Sequence, residues 1–150
     1  MFTTLGNVIS STEITGGPQF VNINGAIGFG GSNGGTSVFD THQSGRHIYF
    51  NNCVASGGDP TRVTSPTGPQ HGFQIRSQYT TLNNCSSFHA GSRAVTFTGG
   101  ASAHCLVQGG EFAFSNGNAG VGLGGDDIQI IGAHVHDNAG LGISPAADSN

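Results

Sequence analysis

The chain has 150 residues, a net charge of −4, no Lys and only the four cations Arg46, Arg62, Arg76 and Arg93. That balance leaves no basic stripe to neutralise phosphates and excludes nucleic acid as a partner. Gly supplies 27 residues, yet 35% are apolar and only 8% charged, which excludes both a solvated disordered chain and a collagen-like triplet repeat.

A single domain over 1–150 is expected at this length. No run of about 18 apolar residues offers a membrane span. The opening MFTTLGNVIS lacks a basic region followed by an apolar core, so no signal peptide is read. This fits a cytosolic product, a virion component assembled in the cytosol, or an excised fragment of a longer chain. Cys53, Cys85 and Cys105 are odd in number and form no CxxC pair, which points to buried free thiols rather than a disulfide framework.

Residues 1–20 read as irregular, or as a short first coil carrying Phe2, Leu5, Val8 and Ile9. From there to residue 145 the chain repeats. VNINGAI places Val21, Ile23 and Asn24 in columns that return as Ile48, Phe50 and Asn51, then as Thr80, Leu82 and Asn83. Cys105, Val107 and Gln108 continue them, and Ile128 and Ile130 close the series. Measured one column beyond Asn52, at positions 26, 53, 85, 110 and 133, the repeats are 27, 32, 25 and 23 residues long. A constant apolar alternation with variable spacing means that short strands are kept while loops vary.

A second strand column runs through Phe73 and Ile75, Val95 and Phe97, Val121 and Leu123, and Leu141 and Ile143. Between strands, Gly28–Ser37 reads as a wide Gly-rich turn. Gly57–Gln70 is the one long insertion, stiffened by Pro60, Pro66 and Pro69. Residues 146–150 form a polar tail.

Stacked coils place equivalent residues about 4.8 Å apart, so like sits on like and amide side chains can bond along the ladder. The column Asn24, Asn51, Asn83, Gln108 reads as such an amide rail, Asn52 over Asn84 as a second one, and Cys53 over Cys85 as small side chains turned inward at a bend. The recurring NNC step is therefore expected to be a corner.

On IYFNNCVASG, HGFQI, TLNNCSSFHAGSRAVTF and DIQIIGAHVHDNAGLGI, the chain resembles the right-handed parallel β-helix superfamily, the pectate-lyase-like solenoids. HGFQI and VHDNAGLGI are most similar in tone to phage tailspike β-helices. The resemblance implies an all-β solenoid of five to six coils and a module contacting cell-surface polysaccharide. It also implies association as a homotrimer, and a place in the virion tail or outside the cell. The alternative is a polysaccharide lyase, glycoside hydrolase or uronate epimerase of this fold, or a fragment of one. A third reading is a purely structural spacer.

The register selects candidate site residues. Glu111 shares an outward column with His134, one coil apart, while His89, Phe114 and Asp137 share another. A carboxylate beside an imidazole is an acid/base pair, so Glu111, His134 and Asp137 are the catalytic candidates. Tyr49, Asp59, Arg62, His71, Arg76 and Tyr79 gather around strand ends and the long insertion and are the candidates for ligand binding. His134 and His136 alternate onto one face without an evident third ligand, so no metal ion is expected, and no cofactor. Phe112 is expected in the core, because its column also holds Ala55 and Val135.

The resemblance does not carry over a known catalytic set. Lyases of this fold commonly use a Lys or Arg base beside calcium-holding acids, and this chain has no Lys and no cluster of three acids. The Asp-Pro-His motif of the epimerases meets Asp59, Pro60 and Thr61 here.

Overall fold

The computed structural model describes the backbone of residues 9–10, and residues 19–29, 37–57, 71–98, 101–117 and 119–145. Most of the long insertion lies outside the described residues, and so do Phe2, Leu5, Val8 and the polar tail.

The described strands follow one another coil by coil. The first three are β1 (Ile9–Ser10), β2 (Gln19–Asn24) and β3 (Ile27–Phe29). Then come β4 (Ser37–Asp40), β5 (Arg46–Asn51) and β6 (Val54–Ser56). They are followed by β7 (His71–Ile75), β8 (Thr81–Asn83) and β9 (Ser86–Phe88). The next turn is β10 (Arg93–Phe97), β11 (Ala103–Gln108) and β12 (Glu111–Ala113). Last are β13 (Ala119–Leu123), β14 (Asp126–Ile131), β15 (His134–His136) and β16 (Leu141–Ser144).

Every third strand pairs in parallel. Three sheets result, ordered β1-β4-β7-β10-β13-β16, β2-β5-β8-β11-β14 and β3-β6-β9-β12-β15. The protein is an all-β parallel solenoid, and the described residues contain no helix. Five stacked strands bound about four complete turns, fewer than the five to six coils expected.

The sequence columns hold in space. Ile23, Phe50, Leu82, Val107 and Ile130 pair in register through β2, β5, β8, β11 and β14. Their side chains fill the interior together with the second apolar column. Phe39 stacks on Phe73 with centroids 4.9 Å apart, and Phe50 packs edge-on against both, at 5.6 and 5.7 Å. Phe112 is fully buried, as its column requires.

Two details differ from the expected register. Val121 lies beside Ile143, and Leu141 lies beside Ala119, two residues from the expected match. A two-residue slip keeps the same face inward, so alternation alone cannot fix it. The segment expected as a Gly-rich turn lies largely outside the described residues, and its last residue opens β4, which inserts Phe39 into the core. All four β4 residues are buried, so no inward–outward alternation marks it.

The corners explain NNC. Only the middle of the expected amide rail is bonded: Asn83 donates to Asn51, at 3.3 Å, while Asn51 donates to Asn22, at 2.8 Å, rather than to Asn24. Asn22 and Asn24 share the outward face of β2, and Asn51 bonds the earlier of the two. The next column is not a second rail. Asn52 and Asn84 sit at φ +53 and +48, in register with Gly25, Gly109 and Gly132 at +63 to +65. This corner turns through the left-handed region, where Gly is free and Asn is tolerated.

Backbone bonds such as Asn52 N–H to Asn83 O (2.9 Å) and Asn84 N–H to Gln108 O (2.8 Å) carry the ladder through the bend. Immediately after it, Cys53 and Cys85 point inward and donate to the carbonyls of Ile23 and Phe50. All three thiols are buried and free. Burial pushes Cys85 up to about 12 and Cys105 to about 11, which makes them packing groups rather than nucleophiles.

The corner account makes a stability prediction. Asn84→Gly is expected to leave the urea midpoint nearly unchanged. Asn84→Ala is expected to lose about 1 kcal/mol, because a Cβ without a compensating amide is strained at positive φ. Equal stability of the two variants would contradict the left-handed corner.

Candidate functional site

The outer surface carries two constellations, both created by stacking. The first is a column of rings one residue before the first inward column. Phe20, His47, Tyr79, His104 and Asp127 lie there, all at φ between +51 and +57. Phe20 stacks on His47 at 4.8 Å, His47 on Tyr79 at 4.8 Å and Tyr79 on His104 at 5.0 Å. His104 Nδ1 lies 2.9 Å from Asp127 Oδ2, and this bond holds the Asp127 carboxyl below the usual carboxylate range. Left-handed backbone at a bulky residue costs about 1–2 kcal/mol. The Gly and Asn corner achieves the same kind of bend without rings, so the ring column is an expensive way to turn the chain.

Beside the ring column runs an open depression of about 340 Å³, whose lining includes Tyr49, Tyr79, Thr81, His104, Asp127 and Gln129. The rings stack on one another along the solenoid, so neighbouring faces cover each other. Their edges turn to solvent, with the Tyr hydroxyl and the imidazole nitrogens as hydrogen-bonding groups.

The second constellation lies where β12 meets β15. Register places Glu111 beside His134 and Ala113 beside His136. Glu111 Oε1 reaches past His134 to His136 Nε2, at 2.9 Å. His136 Nδ1 is held by Asp137 Oδ2, at 2.8 Å. The His134 and His136 rings stack with centroids 4.1 Å apart. Phe114 packs edge-on against His136, and His89 stacks on Phe114 at 5.2 Å. Next to them an open depression of about 450 Å³ is lined by His89, Phe114, Ser115, Asn116, Asp137, Asn138 and Ala139.

The three catalytic candidates therefore lie together, and the group joining them is His136, which sequence reasoning did not select. Among the binding candidates, Tyr49 and Tyr79 line the first depression, whereas Arg76 and His71 lie elsewhere. Arg76 is held against Asp40 through Nε (3.1 Å) and Nη2, with Nε also donating to Thr41 O at 3.3 Å. His71 is buried at the start of β7. Asp59 and Arg62 fall outside the described residues. His47, His104 and Asp127 belong to the ring column and were missed, although they directly precede Ile48, Cys105 and Ile128 in the repeat.

Compared with known proteins, the chain matches no family model, no curated protein and no solved structure.

Bonds from Asp137 first and Glu111 second favour the charged ring and raise the His136 pKa above its ordinary 6.5. With a folded value above the unfolded one, the stabilisation is fully present below pH 6.5 and is lost as pH rises through the folded value. A ring titration followed by NMR is expected to give His136 a midpoint above 6.5, which Asp137→Asn lowers toward 6.5. A midpoint at or below 6.5 in the unaltered chain would refute the bridging arrangement.

Proposed function

We propose that the chain is a structural and recognition module of the β-helix type, similar to a phage tailspike segment, that binds cell-surface polysaccharide along its outer face. The supporting observation is the ring column. Phe, His and Tyr occupy strained left-handed positions in four successive coils where Gly or Asn would serve the fold at lower cost. Strain kept at aligned surface positions is a pointer to function.

The column and the flanking Tyr49, Thr81 and Gln129 present hydroxyl, imidazole and amide groups at one strand spacing. That suits a long hydroxyl-rich ligand lying along the solenoid. Binding here runs through ring edges and hydrogen bonds, since the faces needed for stacking on a sugar are mostly covered. An open, shallow surface fits a polymer better than a small molecule, which favours enclosed concave sites.

Exposed apolar residues on the terminal strands support association as part of the proposal. Phe20 and Ile27 at one end, and Ile131, Leu141 and Ile143 at the other, are exposed on terminal strands. Such edges favour contact with further protein. A homotrimer in a virion tail or outside the cell is the assembly proposed. Among the described residues, no helix is long and apolar enough to cross a membrane.

A second reading, cleavage or epimerisation of the polysaccharide, draws on the Glu111–His136 pair beside its open depression. Incubation with a panel of bacterial surface polysaccharides separates the readings. Retention without new reducing ends is the outcome expected of the module. New ends indicate a depolymerase, and neither outcome leaves a spacer. Tyr79→Phe removes one hydroxyl while keeping the ring stack, and is expected to weaken retention by roughly fivefold, about 1 kcal/mol. Unchanged retention by this variant would move the binding face away from the ring column.

A further inference from the structure

We propose that Glu111, His134 and His136 form a binding site for a divalent transition-metal ion, with Zn²⁺ as the representative. The site is independent of the polysaccharide reading. Its three side chains offer ligand atoms that all lie within 4.8 Å of one another. Ligands held about 2.0–2.2 Å from one tetrahedral ion stand about 3.3–3.6 Å apart, so the widest pair must close by up to about 1.4 Å. Exposed side chains on adjacent strands supply that by rotation.

The geometry follows from the fold. His134 and His136 are two residues apart on β15, so both imidazoles leave the same face. Glu111 enters from β12, the next strand in the sheet, and its carboxylate already sits 2.9 Å from His136 Nε2. That separation is close to the edge of a coordination polyhedron around one ion.

The surroundings of His136 are arranged as for a ligand. Asp137 binds Nδ1 at 2.8 Å, which fixes the ring orientation and leaves Nε2 turned toward Glu111. A carboxylate on the far nitrogen is the usual support of a metal-bound imidazole. Phe114 restrains the ring edge-on, with centroids 5.8 Å apart. Without an ion, each carboxylate needs its own ring N–H, Asp137 facing Nδ1 and Glu111 facing the proton on Nε2. A divalent cation would replace that proton and offset the two negative charges directly.

Two imidazoles and one carboxylate select zinc-class ions over Ca²⁺ and Mg²⁺, which prefer all-oxygen sites. Three protein ligands leave an outward coordination position for water or for an oxygen of a ligand.

The test is calorimetric titration of the full chain, free of any polyhistidine tag and stripped with chelator, using ZnCl₂. Co²⁺ absorption serves as a second readout of coordination. One saturable equivalent per chain is expected at pH 7.5, unaffected by excess Mg²⁺ or Ca²⁺. Affinity should fall toward pH 5.5, because imidazoles ligate a metal only when neutral and protons compete with the ion.

Glu111→Gln and His136→Ala are each expected to weaken binding at least tenfold. Asp137→Asn, which alters only the support, is expected to weaken it roughly 10–100-fold. Glu111→Gln is nearly isosteric on an exposed surface, so its loss of binding cannot be ascribed to unfolding. Absence of saturable Zn²⁺ binding, or binding that survives both Glu111→Gln and His136→Ala, would overturn the site.

Discussion

Every feature of this molecule depends on one constraint: each coil lies on the previous one at a single strand spacing, in register. Parallel ladder bonds between equivalent strands set that spacing, and the corners continue them without a break, as in Gly25 N–H to Asn51 O, Asn52 N–H to Asn83 O and Asn84 N–H to Gln108 O. The interior follows at once, because apolar residues recurring on one face stack into a continuous core of Phe, Ile, Leu and Val. The exterior follows equally, because any side chain at a given corner meets its counterpart in the next coil. Low charge is affordable under this rule, since backbone pairing and amide contacts satisfy most polar groups.

Corners reveal the second constraint. A chain that turns three times per coil must leave the β region repeatedly, and here it does so through left-handed residues. Gly and Asn take one corner column, as conformational energy recommends. Phe, His, Tyr and Asp take another, and their rings are close enough to stack. The same geometry thus produces an inexpensive structural corner on one side and a strained, ring-bearing one on another. Glu111 and His134–His136 are a further product: two neighbouring strands bring one acid and two imidazoles together without any dedicated loop.

Much of this was legible in the sequence, because register is a matter of counting. The columns through Phe50, Leu82 and Val107, the inward cysteines and the outward pairing of Glu111 with His134 all follow from aligning the repeats. What counting could not supply is the backbone conformation inside a column. Asn52 over Asn84 looked like an amide ladder, yet its reason is positive φ, which the Gly residues in the same column betray. β4 escaped because a fully buried strand shows no alternation, and the exact placement of β16 because a slip of two residues leaves alternation unchanged. His136 was passed over for His134 since register fixes Cα positions, whereas the Glu111 side chain reaches diagonally to the farther ring. The ring column was present in the sequence too, but mixed Phe, His, Tyr and Asp do not resemble a repeat until their shared conformation is known.

The register is therefore the claim on which the corners, the ring column and the acid–imidazole cluster all stand. It is tested most directly by amide-to-amide nuclear Overhauser contacts in the deuterated, 15N-labelled chain, where neighbouring strands lie about 4.8 Å apart. The account predicts cross-peaks linking Phe50 to Leu82, Leu82 to Val107, and Val107 to Ile130. Contacts displaced by a residue, or an antiparallel pattern among these strands, would contradict the stacked solenoid and every pairing derived from it.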